Sequence, residues 1–561
     1  MTKYMTPQAL RRRWADNLEI ALVDVREEAP YADSHPLFAV SVPLSELEAR
    51  VPALVPRASV PVAVYDDGEG YAEAAARRLL ALGYEDVSAL EGGLAGYVRA
   101  GGEVYRDVNV PSKAFGELVE AISGTPSIPA SEASDFLVSK PGGDADKDDE
   151  EGEREDVVVL DARRFEEYNT MSVPRGRSCP GGELLYRVFE AAPSPRTTVV
   201  VNCAGRTRSI VGAQTLINAG VPNKVVALRD GTIGWTLAGL ELDGGRTERV
   251  PAPSRESAAR AREHARRWAE DVVGVQVIGT EKLRDILAEA GDGGGRTTYL
   301  LDVRDPEEHR ERGPPRGFVS APGGQLVQAT DEWVGVRGAR LVLYDTDGVR
   351  ARMTGSWLVQ LGWEVYVLDE GEAGSGLDVV LLRTVPAWRP PTGDPAAISA
   401  QELKQKLAEG ATVVIDLARS PTYAKGHIPG SWFASGPELA RDVTNIPVNG
   451  AGPVVLTSPD GVVAAANAEH LRAAVTGRQV SYLAGGTAAW AAAGFGLETG
   501  EKAQWLSEPT DVYRRPYEGT GNAREAMRGY IEWEHGLVAQ LANDGGVVRF
   551  RVVRPRGQSA A

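Results

Sequence analysis

Four short apolar runs, each closing on an aspartate, recur along the chain at 20–24 (IALVD), 157–161 (VVVLD), 299–302 (YLLD) and 413–416 (VVID). A second set follows at 62–66 (VAVYD), 199–203 (VVVNC), 341–345 (LVLYD) and 454–458 (VVLTS). From the aspartate to the last residue of the second run the separation is 42, 42, 43 and 42 residues, a register that chance does not hold. Uninterrupted Val-rich runs of this length predict strands buried on both faces of a parallel sheet. A helix-compatible stretch follows each second run, and then a third apolar run enters a glycine turn at 89–93, 227–231, 367–371 and 482–486. Each copy opens with a short helix signal at 6–10, 129–132, 279–283 and 399–403, where Thr or Ser suits an N-cap. The repeated unit is strand, loop, strand, helix, strand, turn. It predicts an α/β fold in tandem modules with helices on both faces of each sheet.

The predicted modules span 1–110, 111–250, 251–385 and 386–500, followed by an extension at 501–561. An Ala/Arg/Glu-rich connecting helix is expected at 251–271 and a proline-rich linker at 386–395. The acidic run 141–156 lies inside the second module and reads as a solvated loop. In the extension a helix is expected at 523–542 and a strand at 547–553, with no function attached to either.

Composition narrows the chemistry. A length of 561 residues accommodates four domains, and 43% hydrophobic with 25% charged residues excludes wholesale disorder. With 78 acidic against 61 basic side chains, a general binder of nucleic acid or anionic membranes is disfavoured, so an anion site must be local. No signal-peptide pattern or membrane-length apolar stretch stands out, and a cytoplasmic location is expected. Two cysteines, Cys179 and Cys203, exclude a disulfide framework. Neither a metal cluster nor a dinucleotide fingerprint is present in the sequence, so no cofactor is expected.

Cys203 ends the second run of the second module and opens the loop Cys203-Ala204-Gly205-Arg206-Thr207-Arg208-Ser209. At a strand-to-helix turn, inward amides and a helix N-terminus form an anion cradle. Such a site, with neighbouring arginines, is expected to lower the thiol pKa and supply a thiolate without a base. None of the six histidines falls within 111–250, which disfavours a Cys/His pair. Cysteine phosphatases share the cradle but place five residues between cysteine and arginine; four separate Cys203 from Arg208, and the next position is Ser209.

The pattern resembles the rhodanese (sulfurtransferase) homology family, repeated four times. The residues that carry the resemblance are Asp161-Ala162-Arg163, with Asp24-Val25-Arg26 and Asp302-Val303-Arg304 in other copies. Gly426-His427-Ile428-Pro429-Gly430 and the Cys203 loop with Arg208 and Ser209 add to it. Two departures stand out: the loop glycine sits two residues after the cysteine instead of the commoner three, and the Gly-His-Ile-Pro-Gly motif is degraded at 171–176. The resemblance implies mainly parallel five-stranded modules and a sulfurtransferase in which Cys203 accepts a sulfane sulfur as a persulfide. The donor would be a small anion such as thiosulfate and the acceptor a thiol, a protein thiol or cyanide. Ala204, Gly205, Arg206, Thr207, Arg208, Ser209 and Arg163 are its substrate-binding candidates, although in the Asp-x-Arg motif Asp161 and Arg163 are more often structural. Asp66, Asp345 and Ser458 replace the thiol in the other copies, which are expected to be inactive; Tyr71, Arg350 and Val463 stand at the arginine position. Cys179, 24 residues before Cys203, is an ordinary loop cysteine or a resolving thiol. A rhodanese-like phosphatase or arsenate reductase, and a non-catalytic binding scaffold, are the alternatives.

Overall fold

The computed structural model describes residues 2–137, 156–291, 295–369, 385–446, 452–475, 477–500 and 504–555. Four mainly parallel sheets follow one another along the chain. In the second module the sheet order is Ser127–Ile128, Val225–Leu228, Thr198–Asn202, Val157–Asp161 and Gly176–Ser178, all parallel. The other three sheets repeat that order. The central strands are buried along their whole length, as uninterrupted apolar runs require, and helices cover both faces.

The second-run strands stop one residue earlier than the sequence predicts, at Tyr65, Asn202, Tyr344 and Thr457. Asp66, Cys203, Asp345 and Ser458 are therefore each the first residue of a loop. Thr6 and Ser399 cap their helices through the side chain, Ser399 in a capping box with Glu402. Ser131 does not: its helix, Ala130–Leu137, already contains it. The connecting segment forms the helix Arg255–Arg266, continued by the π-helical turn Arg267–Val273. The acidic run lies outside the described residues except for Asp156.

One hydrophobic cluster is shared by the first three modules, whereas the fourth has clusters of its own. The extension reconnects them. Gln504–Trp505 adds a strand to the fourth sheet beside Trp432–Phe433, and the chain then passes the first module, where Ala29 N donates to Thr510 O at 3.0 Å. The helix Arg524–Asn543 next lies along Val110–Ser123, at the start of the second module. The stretch 547–553 is not a strand, since it pairs with no strand among the described residues; Arg551 N and Val553 N instead bond the backbone and side chain of Gln360.

Candidate active site: the Cys203 loop and its cover

Cys203 follows the central strand Thr198–Asn202, whose end is fixed by Asn202 Nδ2 donating to Asp161 Oδ2 at 2.8 Å. The carbonyls of Cys203 and Ala204 accept from Thr232 N at 2.9 Å and Ile233 N at 3.0 Å. That approach demands Gly231, which has φ 54° and where a Cβ would lie 2.2 Å from the Cys203 carbonyl oxygen. With the carbonyls tied there, the amides of Ala204 to Arg208 have no protein acceptor among the described residues. Ser209 faces the thiol through its N–H and through Oγ, 3.5 Å from Sγ. The helix Thr207–Asn218 then begins, presenting its N-terminus to the loop.

The other three loops are filled by their own side chains. Asp66 accepts from Gly68 N at 3.0 Å and Ala72 N at 2.9 Å. Asp345 accepts from Gly348 N at 2.9 Å and Ala351 N at 2.8 Å, while Asp347 takes the amides of Val349 and Arg350. Ser458 Oγ accepts from Ala464 N at 3.2 Å. Ala72, Ser209, Ala351 and Ala464 occupy the same place, six residues past the head of the loop.

The arginines are engaged more fully than the sequence led us to expect. Arg208 forms a bidentate pair with Glu167, at 2.7 and 2.8 Å, which holds Glu167 down at about 2 against the opposing effect of burial. Arg206 is enclosed by Glu117 at 2.8 and 3.0 Å, Asp230 at 3.1 Å and Glu120. Arg163 spends its guanidinium on Asp161 and on the Met171 carbonyl at 2.6 Å. Arg206 and Arg163, both candidates for substrate binding, thus have their guanidinium groups engaged by carboxylates in this arrangement, as does Arg208. Arg350 is likewise consumed by Glu183, Glu308 and Asp347, and Tyr71 bonds Glu438. Val463 follows Val462, whose N–H bonds Asp460. Cys179 packs in the shared core, where burial pushes its thiol well above the ordinary range, as suits a neutral core cysteine.

The extension supplies what sequence reading missed. Tyr517, Met527, Tyr530 and Ile531 pack with Ala204 and Ile233 in one apolar cluster over the loop. Cys203 is left 1% exposed. Burial raises its thiol above the ordinary value, and the charge of Glu534 adds to that; Arg208 and Ser209 pull the other way and lose. The expected low-pKa thiolate is therefore not a property of the covered loop, because desolvation outweighs a cation already neutralised by Glu167. The missed signal was an acid within an apolar stripe: Met527, Tyr530, Ile531, Glu534 and Leu537 share the buried face of one helix.

The Rhodanese-like domain model matches residues 6–100, 145–238, 282–374 and 399–493, most of the chain. The chain belongs to the rhodanese-like family. A crystal structure described as thiosulfate sulfurtransferase from Pseudomonas aeruginosa is 48% identical, with a TM-score of 0.90 over 98% of this chain and 100% of that one. The rhodanese-like domain of an Anabaena sp. protein is 32% identical over 15% of this chain and 85% of its own, with a TM-score of 0.15. No curated protein matches. The four rhodanese-like domains thus share one fold but differ at the head of one loop. Among the described residues no helix is long and apolar enough to cross a membrane.

Proposed function

We propose that the protein is a sulfurtransferase with one working rhodanese-like domain. Cys203 thiolate attacks the outer sulfur of a donor such as thiosulfate, an S–S bond forms, and sulfite departs with the electrons of the broken S–S bond. A thiol or cyanide then takes the sulfane sulfur and returns Cys203 to the thiolate. The observation that carries this reading is the contrast between loops: of the four loop heads, Cys203 alone combines a thiol with a run of amides that have no acceptor among the described residues. Those amides suit the negative charge of the donor and of the departing group. The 48% identity to a protein described as thiosulfate sulfurtransferase supports it. Arg208 contributes through its charge at the thiol. Because Cys203 is 1% exposed, donor entry displaces part of the cover, and that displacement relieves the desolvation that raises the thiol. A reducing cytoplasm suits a thiol that must remain free.

Incubation with thiosulfate should add about 32 Da, one sulfur atom, to the Cys203 peptide and release sulfite, with thiocyanate formed when cyanide is supplied. Cys203→Ser should show neither. Absence of the mass gain in the wild type, with turnover of an aryl phosphate or of arsenate instead, would replace this reading with the phosphatase or arsenate-reductase chemistry.

A further inference from the structure

Glu534 reaches the Cys203 loop from the extension, more than 300 residues away in sequence. It is 1% exposed. Oε1 accepts from Tyr530 Oη at 3.0 Å and from Thr207 Oγ1 at 3.3 Å, whereas Oε2 has no hydrogen-bond partner among the described residues. Burying a carboxylate oxygen without a partner is costly, so its persistence here calls for a use.

Gly205 shows where Oε2 lies. A Cβ at this position would sit 3.2 Å from Glu534 Oε2 and 3.2 Å from Tyr530 Cε1. The backbone of Gly205 does not need the left-handed region. Its lack of a side chain therefore serves space under the carboxylate, which explains why the loop glycine stands two residues after the cysteine. Burial is what raises Glu534, to about 7, with Glu117 adding to the rise and Lys113, Tyr530 and Arg206 opposing it. Lys113 and Glu117 face it from the helix Val110–Ser123, Cys203, Arg206 and Thr207 from the loop, and Tyr530 from its own helix; each of the first two has another partner, Asp107 for Lys113 and Arg206 for Glu117. Neither form of the acid dominates near neutrality, as a proton carrier requires.

We propose that Glu534 takes the proton from a neutral thiol acceptor as that thiol discharges the Cys203 persulfide. This rests on the sulfurtransferase reading and makes a thiol, rather than cyanide, the acceptor for which the site is built. The proton moves from R–SH to Glu534 Oε2. The thiolate sulfur bonds the sulfane sulfur of Cys203–S–S⁻, the Sγ–S bond breaks, and its electron pair stays on Cys203 as thiolate. The product leaves as R–S–S⁻, and Glu534 then returns its proton to solvent. Charge and atoms balance without an oxidant or reductant.

The test uses full-length protein preloaded with thiosulfate and freed of excess donor. If the wild type never gains about 32 Da, the sulfurtransferase reading fails before Glu534 is engaged. If it loads, discharge is followed by mass with a small alkyl thiol at pH 7 and with cyanide at alkaline pH, where cyanide has no proton to give. Glu534→Gln should slow thiol discharge on the order of 10²-fold and leave cyanide discharge unchanged or faster. Glu534→Asp, which keeps an acid, should recover part of the thiol rate. The wild-type thiol rate, corrected for the thiolate fraction in solution, should rise with pH and level off near 7, and Glu534→Gln should lose that limb. Equal losses with thiol and cyanide, or no limb in the wild type, overturn the proposal.

Discussion

The Cys203 and Asp345 loops share a backbone plan and differ in who uses it. Both follow a central buried strand, and in both the amide six residues on, Ser209 or Ala351, faces the first side chain. In the third domain two carboxylates absorb the amides of Gly348, Val349, Arg350 and Ala351. In the second domain those from Ala204 to Arg208 find no protein acceptor among the described residues. The third domain uses its loop amides to hold its own carboxylates. Asp345 stands where the second domain has its thiol, and the cradle is occupied as well.

The sharpest way to break the comparison is at the two arginines that occupy matching positions. Arg350→Gln leaves Glu183, Glu308 and Asp347 with one cation fewer in a buried cluster, and should cost about 3–5 kcal/mol in denaturant unfolding. Arg208→Gln removes the charge that opposes desolvation of Cys203 while its partner Glu167 stays partly exposed. Sulfur uptake should fall about tenfold to a hundredfold, with its pH dependence displaced toward alkali, and stability should change less. If both variants alter stability alone, the two loops are alike.

Glu534 gives the next effect. Its pKa is raised from 4.5 to about 7 by burial, so the folded state is penalised when the acid ionises. That penalty is absent below the unfolded value and grows as pH rises through the folded one. Glu534→Gln should therefore be more stable than the wild type above pH 7, on the order of 2 kcal/mol, with the difference shrinking towards pH 4.5. Thermal melts at the two pH values check it. Ile531→Ala thins the cover over the loop and should speed alkylation of Cys203 several-fold while costing about 2 kcal/mol, the low end for a buried isoleucine because Ile531 is the most exposed of the buried residues in its cluster. Asp345→Cys should gain least: the new thiol is alkylated, but it acquires no sulfur from thiosulfate while Asp347 still holds the amides of Val349 and Arg350. Sulfur uptake by that variant would mean that the thiol alone separates the two domains.

The four-fold plan was legible because each sheet is made from local apolar runs whose burial on both faces erases polar alternation. The Cys203 loop was legible for the same reason, since a strand end and a helix start fix it. What the arginines do was not. In the sequence Arg206 divides evenly between ligand and solvent and Arg163 leans to a structural role; the carboxylates that engage them, Glu117, Glu120 and Asp230 for Arg206 and Asp161 for Arg163, become visible only in the fold. The direction of the thiol shift was misread because burial decides it, and the helix beginning at Arg524 that packs on Ala204 and Ile233 is distant in sequence from the loop it covers. The short edge strands, such as Gly176–Ser178, also escaped notice; three residues at the margin of a sheet carry too little pattern.

The path of the extension also sets a schedule. A ribosome adding roughly 5–20 residues per second completes the Cys203 loop tens of seconds before it reaches Glu534. Through that interval the Cys203 loop lacks the apolar cover of Tyr517, Met527, Tyr530 and Ile531. The helix Arg524–Asn543 is made long after the loop and closes over it, so the thiol is covered only once that distant segment has arrived.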